Sequence, residues 1–75
     1  MRRVGSVERL AQGLAVVRAP DEEYAAIGTA LVDEQLQSVG EVVDVFGPVD
    51  APYMAVSPGE RVHLPTLVGS PLYAR

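Results

Sequence analysis

The run from Val39 to Val56, VGEVVDVFGPVDAPYMAV, leaves this chain few folds to choose from. Val39, Val42, Val43, Val45 and Phe46 are β-branched or aromatic, the composition of a strand. Gly47-Pro48 stops that strand, because proline brings no N–H to a ladder and glycine tolerates backbone angles that other residues avoid. A second break follows at Asp50-Ala51-Pro52, and Tyr53 to Val56 extends again. The expectation is strand, rigid corner, strand, with the only Phe and one of the three Tyr at the corner. Aromatic and proline side chains on a stiff backbone suit docking.

The remaining chain is punctuated in the same way. Arg3 to Leu10 reads as a strand with Gly5 as a bulge or point of close approach. Gln12-Gly13 turns the chain, and Leu14 to Arg18 completes a hairpin that Pro20-Asp21 ends. Asp21 to Gln37 supports two readings. Tyr24, Ile27 and Leu31 sit at helical spacing with Asp21 as N-cap. Gly28 in the middle costs a helix about 1 kcal/mol against Ala, and the alternative is a loop through Gly28 followed by a short strand, Ala30–Val32. Asp33-Glu34-Gln35 makes a polar turn, and Ser38-Val39 opens the next arm. Ser57-Pro58-Gly59-Glu60 is a further turn, Arg61 to Leu64 a candidate extension, Leu67 to Pro71 a loop, and Leu72-Tyr73-Ala74 a closing strand. Six short strands imply an all-β barrel or sandwich, and closure would remove the exposed edges of so small a sheet.

Size limits the core. A chain of 75 residues is expected to be a single domain spanning residues 1–75. It buries only about 60% of its unfolded surface, against an ordering cost on the order of 1.5 kcal/mol per residue. Without Cys, neither a disulfide nor a thiolate site reinforces it. Good β-pairing and a bound partner are the remaining sources of stability.

Charge is segregated along the chain. Residues 1–20 carry four Arg and one Glu, whereas residues 21–50 carry eight acids and no base. That acidic middle argues against broad phosphate contact. Lys is absent, which fits either a high-salt cytoplasm or a biased genome. No apolar run approaches the roughly 20 residues of a spanning helix, and none follows Arg2-Arg3, so no leader is expected. A soluble, cytoplasmic protein is expected.

Catalytic chemistry is sparse. His63 is the only histidine, and no second His or Cys exists to share a metal. Glu22-Glu23 and Asp33-Glu34 are adjacent pairs on turns, so their carboxylates do not converge. Asp44 lies between Val43 and Val45; if buried it needs a hydrogen bond, either capping the Gly47-Pro48 turn or meeting a partner's Arg. No phosphate-binding glycine loop is present. The residues indicate a non-enzymatic β-domain with no cofactor, no metal and no catalytic residue.

Gly40 to Val56 resembles the signature of the small β-barrel accessory subunit of box H/ACA ribonucleoproteins in its archaeal form, Gly-x-Val-x-Asp-Val-Phe-Gly-Pro-Val-x-x-Pro-Tyr. Gly40, Val42, Asp44, Val45, Phe46, Gly47, Pro48, Val49, Pro52 and Tyr53 occupy those places. Pro20 to Asp33 is similar to the family's Pro…Ile-Gly-x-x-Val-x-Asp segment, and Val68-Gly69 with Leu72-Tyr73 to its closing strand. A minimal, archaeal-like version without the glycine- and arginine-rich tails of eukaryotic members is expected.

The resemblance implies a six-stranded closed barrel of the translation-factor and reductase-like kind, with Asp21–Gln37 as loop plus strand. It implies an accessory subunit that binds the catalytic domain of a dyskerin-like pseudouridine synthase. Guide RNA and the other H/ACA proteins would be indirect partners, with no membrane and no small-molecule substrate. The implied role is to promote substrate turnover in rRNA pseudouridylation and ribosome biogenesis through a mobile loop of the synthase. A related H/ACA assembly factor sharing the barrel, and a direct RNA-binding barrel, are the alternatives. The expected partner-binding residues are Asp44, Phe46, Gly47, Pro48, Val49, Pro52 and Tyr53. Val42, Val43 and Val45 are expected to build the barrel wall. Tyr53, after a proline at a corner, is the stronger interface residue, since an aromatic within a strand such as Phe46 is more often core.

Overall fold

Alternating apolar positions become a core only when strands are paired so that those positions share one side. A computed structural model, which describes Met1–Arg75, shows how they are paired. The strands are β1 (Arg2–Ala11), β2 (Leu14–Arg18), β3 (Ala30–Val32), β4 (Ser38–Phe46), β5 (Tyr53–Pro58) and β6 (Pro71–Ala74). All pairings are antiparallel, and the order β1-β2-β5-β4-β3-β6 closes on itself through β6 and β1. The fold is the expected all-β, six-stranded closed barrel.

The core is built from every strand. Val4 and Val7 of β1, Ala15 and Val17 of β2 and Leu31 of β3 meet Val39 and Val42 of β4, Met54 and Val56 of β5, and Leu72 and Ala74 of β6. No polar side chain is buried. Gly5 is where the expected bulge occurs, since the β1–β6 register shifts between Arg3 and Gly5. Gly5 has φ 151°, and a Cβ there would overlap the Arg18 carbonyl, so only glycine lets β1 and β2 close to this distance.

Asp21 to Gln37 forms no α-helix. Asp21 Oδ1 accepts from Glu23 N–H at 2.8 Å, a local turn that leads into no helix. Gly28 adopts φ 95°. The backbone there bonds to β4: Gly28 N–H donates to the Val42 carbonyl at 2.7 Å and Val42 N–H to the Thr29 carbonyl at 3.0 Å. Those bonds win over the helical spacing. Of the three residues at that spacing, only Leu31 is buried; Tyr24 and Ile27 are exposed, and Ala25 fills the core instead. The loop-plus-strand expectation holds.

Two local expectations fail. Arg61 to Leu64 does not extend; Arg61 is in a turn and Leu64–Leu67 is a single 3-10 turn with proline near its start. It sets Leu64 and Leu67 against the core. Val43 does not build the wall either: it is 41% exposed. The β4–β5 register shifts between Val42 and Asp44, making Val43 the extra residue of a bulge. A second shift opposite β3 lies at Val39, where Leu31 pairs with Gly40 but Val32 with Ser38. Buried Val39, buried Val42 and half-buried Val45 therefore recur every third residue.

Candidate functional site

The corner after β4 is set by cross-strand register. Phe46 on β4 pairs with Tyr53 on β5, and Tyr53 pairs with Arg18 on β2. Residues directly opposite share a face, so these three side chains form one transverse row outside the barrel. The Phe46 and Tyr53 rings stack with centroids 5.6 Å apart and planes at 22°. The Arg18 guanidinium carbon lies 5.3 Å from the Tyr53 ring centroid, a cation–π arrangement. Arg18 Nη1 also donates to the Tyr53 hydroxyl at 3.4 Å.

Gly47 makes the row possible. Its φ is 90°, and a Cβ would press on Tyr53 Cδ2. Glycine therefore both turns the chain out of β4 and leaves room for the ring. Pro48 is exposed and Val49 is 91% exposed, an apolar side chain standing almost free at the tip. Pro52 behaves differently. It is buried, and its carbonyl accepts from Ala19 N–H at 2.9 Å, tying the corner to the exit of β2.

Asp44 is exposed, because the Val43 bulge turns it outward. Its Oδ1 accepts from Val45 N–H at 2.9 Å and does not cap the Gly47-Pro48 turn. On the side of β4 away from β5, β3 pairs only as far as Glu41, and the loop bonds end at Val42. Asp44 thus supplies an acceptor just where the strand edge is uncovered.

Five of the seven expected residues, Phe46, Gly47, Pro48, Val49 and Tyr53, come together as one corner, with Asp44 two residues upstream and Pro52 beneath. Phe46 is 40% exposed and faces outward, not into the core. Tyr53 is half-buried between Phe46 and Arg18. Arg18 is the member that sequence reading missed. Its position depends on β2 pairing with β5, and no local pattern announces a pairing of strands 35 residues apart. No cluster of His, Cys, Asp and Glu forms a metal site. His63 is exposed, and its carbonyl accepts from the Thr66 hydroxyl at 2.8 Å.

Residues 1–75 match the Gar1 family, described as the Gar1/Naf1 RNA binding region. The chain belongs to the Gar1/Naf1 family. The match runs over the whole sequence, the Phe46–Tyr53 corner and both closing strands included. A search of curated proteins found no match. Gar1/Naf1 proteins are RNA-binding accessory components associated with H/ACA ribonucleoproteins and rRNA pseudouridylation, and the family is not a catalytic one. An exposed aromatic corner fits an accessory family.

Proposed function

We propose that this chain is the accessory subunit that docks on the catalytic domain of a dyskerin-like pseudouridine synthase and promotes substrate turnover in the H/ACA particle. The observation that carries the reading is the corner itself: a stacked Phe46–Tyr53 pair beneath Arg18, with Val49 almost free at the tip. Aromatic anchors flanked by an arginine are the composition of interface hot spots. Gly47 and Pro48 hold the corner in one shape, which lowers the ordering cost of binding. In this reading Phe46, Pro48, Val49 and Tyr53 make the contact, Gly47 and Pro52 fix their positions, and Asp44 presents its second carboxylate oxygen to a partner cation.

The chain contributes no reacting group in this role. It speeds turnover by binding one state of a mobile synthase loop better than another, since a ligand shifts an equilibrium only by its differential affinity. Calorimetric titration of the chain into the synthase without guide RNA tests the docking. Saturable binding is expected; in a separate assay of the guide-RNA-loaded particle, adding the chain should raise the multiple-turnover rate and leave the single-turnover rate unchanged. Absence of binding to the isolated synthase overturns the proposal.

A further inference from the structure

Beside the corner lies an open groove of about 610 Å³, lined in part by Arg3, Ser6, Glu8, Arg18 and Ala51. Ser6 pairs directly with Arg18 across β1 and β2, and Arg3 Nη2 donates to Ser6 Oγ at 2.8 Å. Gly5 lets β1 close on the Arg18 carbonyl, and Arg3 and Arg18 both line the groove. Neither Arg3 nor Arg18 hydrogen-bonds a carboxylate; their side-chain partners are the hydroxyls of Ser6 and Tyr53. Each guanidinium therefore keeps charged N–H donors free, and the Tyr53 ring orients one of them. Ala51 in the lining places the groove against the corner loop.

We infer that this groove binds a phosphodiester of an RNA strand, with Arg3 and Arg18 on the non-bridging oxygens and the Ser6 hydroxyl as a third donor. Guanidinium groups match phosphate in a fork geometry, and such charge-assisted bonds are roughly twice as strong as neutral ones. The two arginines outnumber Glu8, the one acid in the lining, so the groove carries a net positive charge that favours an anion. The choice of RNA as the polymer rests on the H/ACA reading, whereas the preference for phosphate rests on the groove. The track is short. Asp21 and Glu23 line the adjoining pocket, which shares Arg3, so one or two phosphates are contacted. The salt dependence should be shallow, with a logarithmic slope of about −1.4 for two phosphates on a single strand.

The test is an amide NMR titration of the full chain with hexauridylate and, in parallel, with a hexaglutamate peptide. Saturable shifts centred on Arg3, Ser6 and Arg18 are expected with the RNA alone. Arg3→Ala should weaken RNA binding about tenfold, as the loss of a charge-assisted hydrogen bond implies. Arg9→Ala, which removes an equal charge from β1 outside the groove, should leave binding within about twofold. Ser6→Ala, a milder change, should weaken binding while leaving the remaining spectrum in place. Equal shifts with hexaglutamate would assign the groove to an acidic protein segment and overturn the inference. So would the absence of saturation, or equal loss in Arg3→Ala and Arg9→Ala. Synthase binding by Arg3→Ala, measured separately, keeps the two proposals apart. RNA shifts that persist without synthase binding overturn docking alone, and synthase binding without RNA shifts overturns the groove alone.

Discussion

Tyr53 is held from both sides, and that decides what its substitutions should do. Removing the ring abolishes the stack with Phe46 and the seat of Arg18. Tyr53→Ala is expected to weaken synthase binding by about 2 kcal/mol or more, as hot-spot truncations do. Tyr53→Phe loses only a 3.4 Å hydrogen bond on an exposed surface and keeps both ring contacts. It should therefore stay within about 0.5 kcal/mol of the parent. Calorimetry on the two variants separates ring from hydroxyl. Gly47 makes a second residue-scale prediction. Gly47→Ala places a Cβ at φ 90° and against the Tyr53 ring. About 1–2 kcal/mol of stability should be lost to the left-handed backbone alone. Urea unfolding measures that loss, and synthase affinity should fall with it because the ring is displaced.

Among the elements, β4 carries the most consequence. Its bulge at Val43 aims Asp44 outward while leaving Val42 and Val45 on the inner side. Asp44 then covers the Val45 N–H at the open strand edge. Natural sheets protect such edges with charge and with bulges, and here one residue provides the charge and its neighbour the bulge. Asp44→Ala should cost about 0.5–1 kcal/mol, the value of one exposed hydrogen bond, and should promote edge-to-edge self-association visible by sedimentation velocity. Asp44→Asn retains an acceptor oxygen and should recover most of the stability. A strictly monomeric, fully stable Asp44→Ala chain would show that the edge needs no guard.

The whole molecule depends on a few side chains at the centre of the barrel. Leu31, Met54 and Leu72 are the largest fully buried ones. Total stability for a domain of this size is about 0.05–0.15 kcal/mol per residue, and a buried Leu→Ala costs about 2–5 kcal/mol. Leu72→Ala should thus remove a large share of the folding free energy and shift the thermal midpoint down by many degrees. A partner that binds only the folded barrel should restore part of it, about 2.7 kcal/mol at a hundredfold excess over its dissociation constant. Thermal melts of the variant with and without synthase measure both effects. An unchanged midpoint for Leu72→Ala would mean that β6 contributes little to the core.

By itself the sequence determined the parts of this protein that local chemistry controls. Gly and Pro placed the ends of most strands, Gly5 marked a bulge, and the Phe46–Tyr53 corner and the family's signature could be read directly from residues 40–56. Tertiary structure decided whatever depends on which strands meet. Helical spacing at Tyr24, Ile27 and Leu31 lost to backbone bonds between Gly28, Thr29 and β4, which no local pattern encodes. Period-two reasoning misplaced Val43, because a bulge inserts a residue that alternation does not count. Pro52, expected at the contact surface, is buried against the exit of β2, whereas Phe46, expected there despite the usual preference of a strand aromatic for the core, does face outward; burial is a property of the closed barrel. The row from Ser6 through Arg18 and Tyr53 to Phe46 exists only because four strands align at one level. Closure of the barrel set that alignment, since long-range pairing fixes register once the apolar residues share a single core.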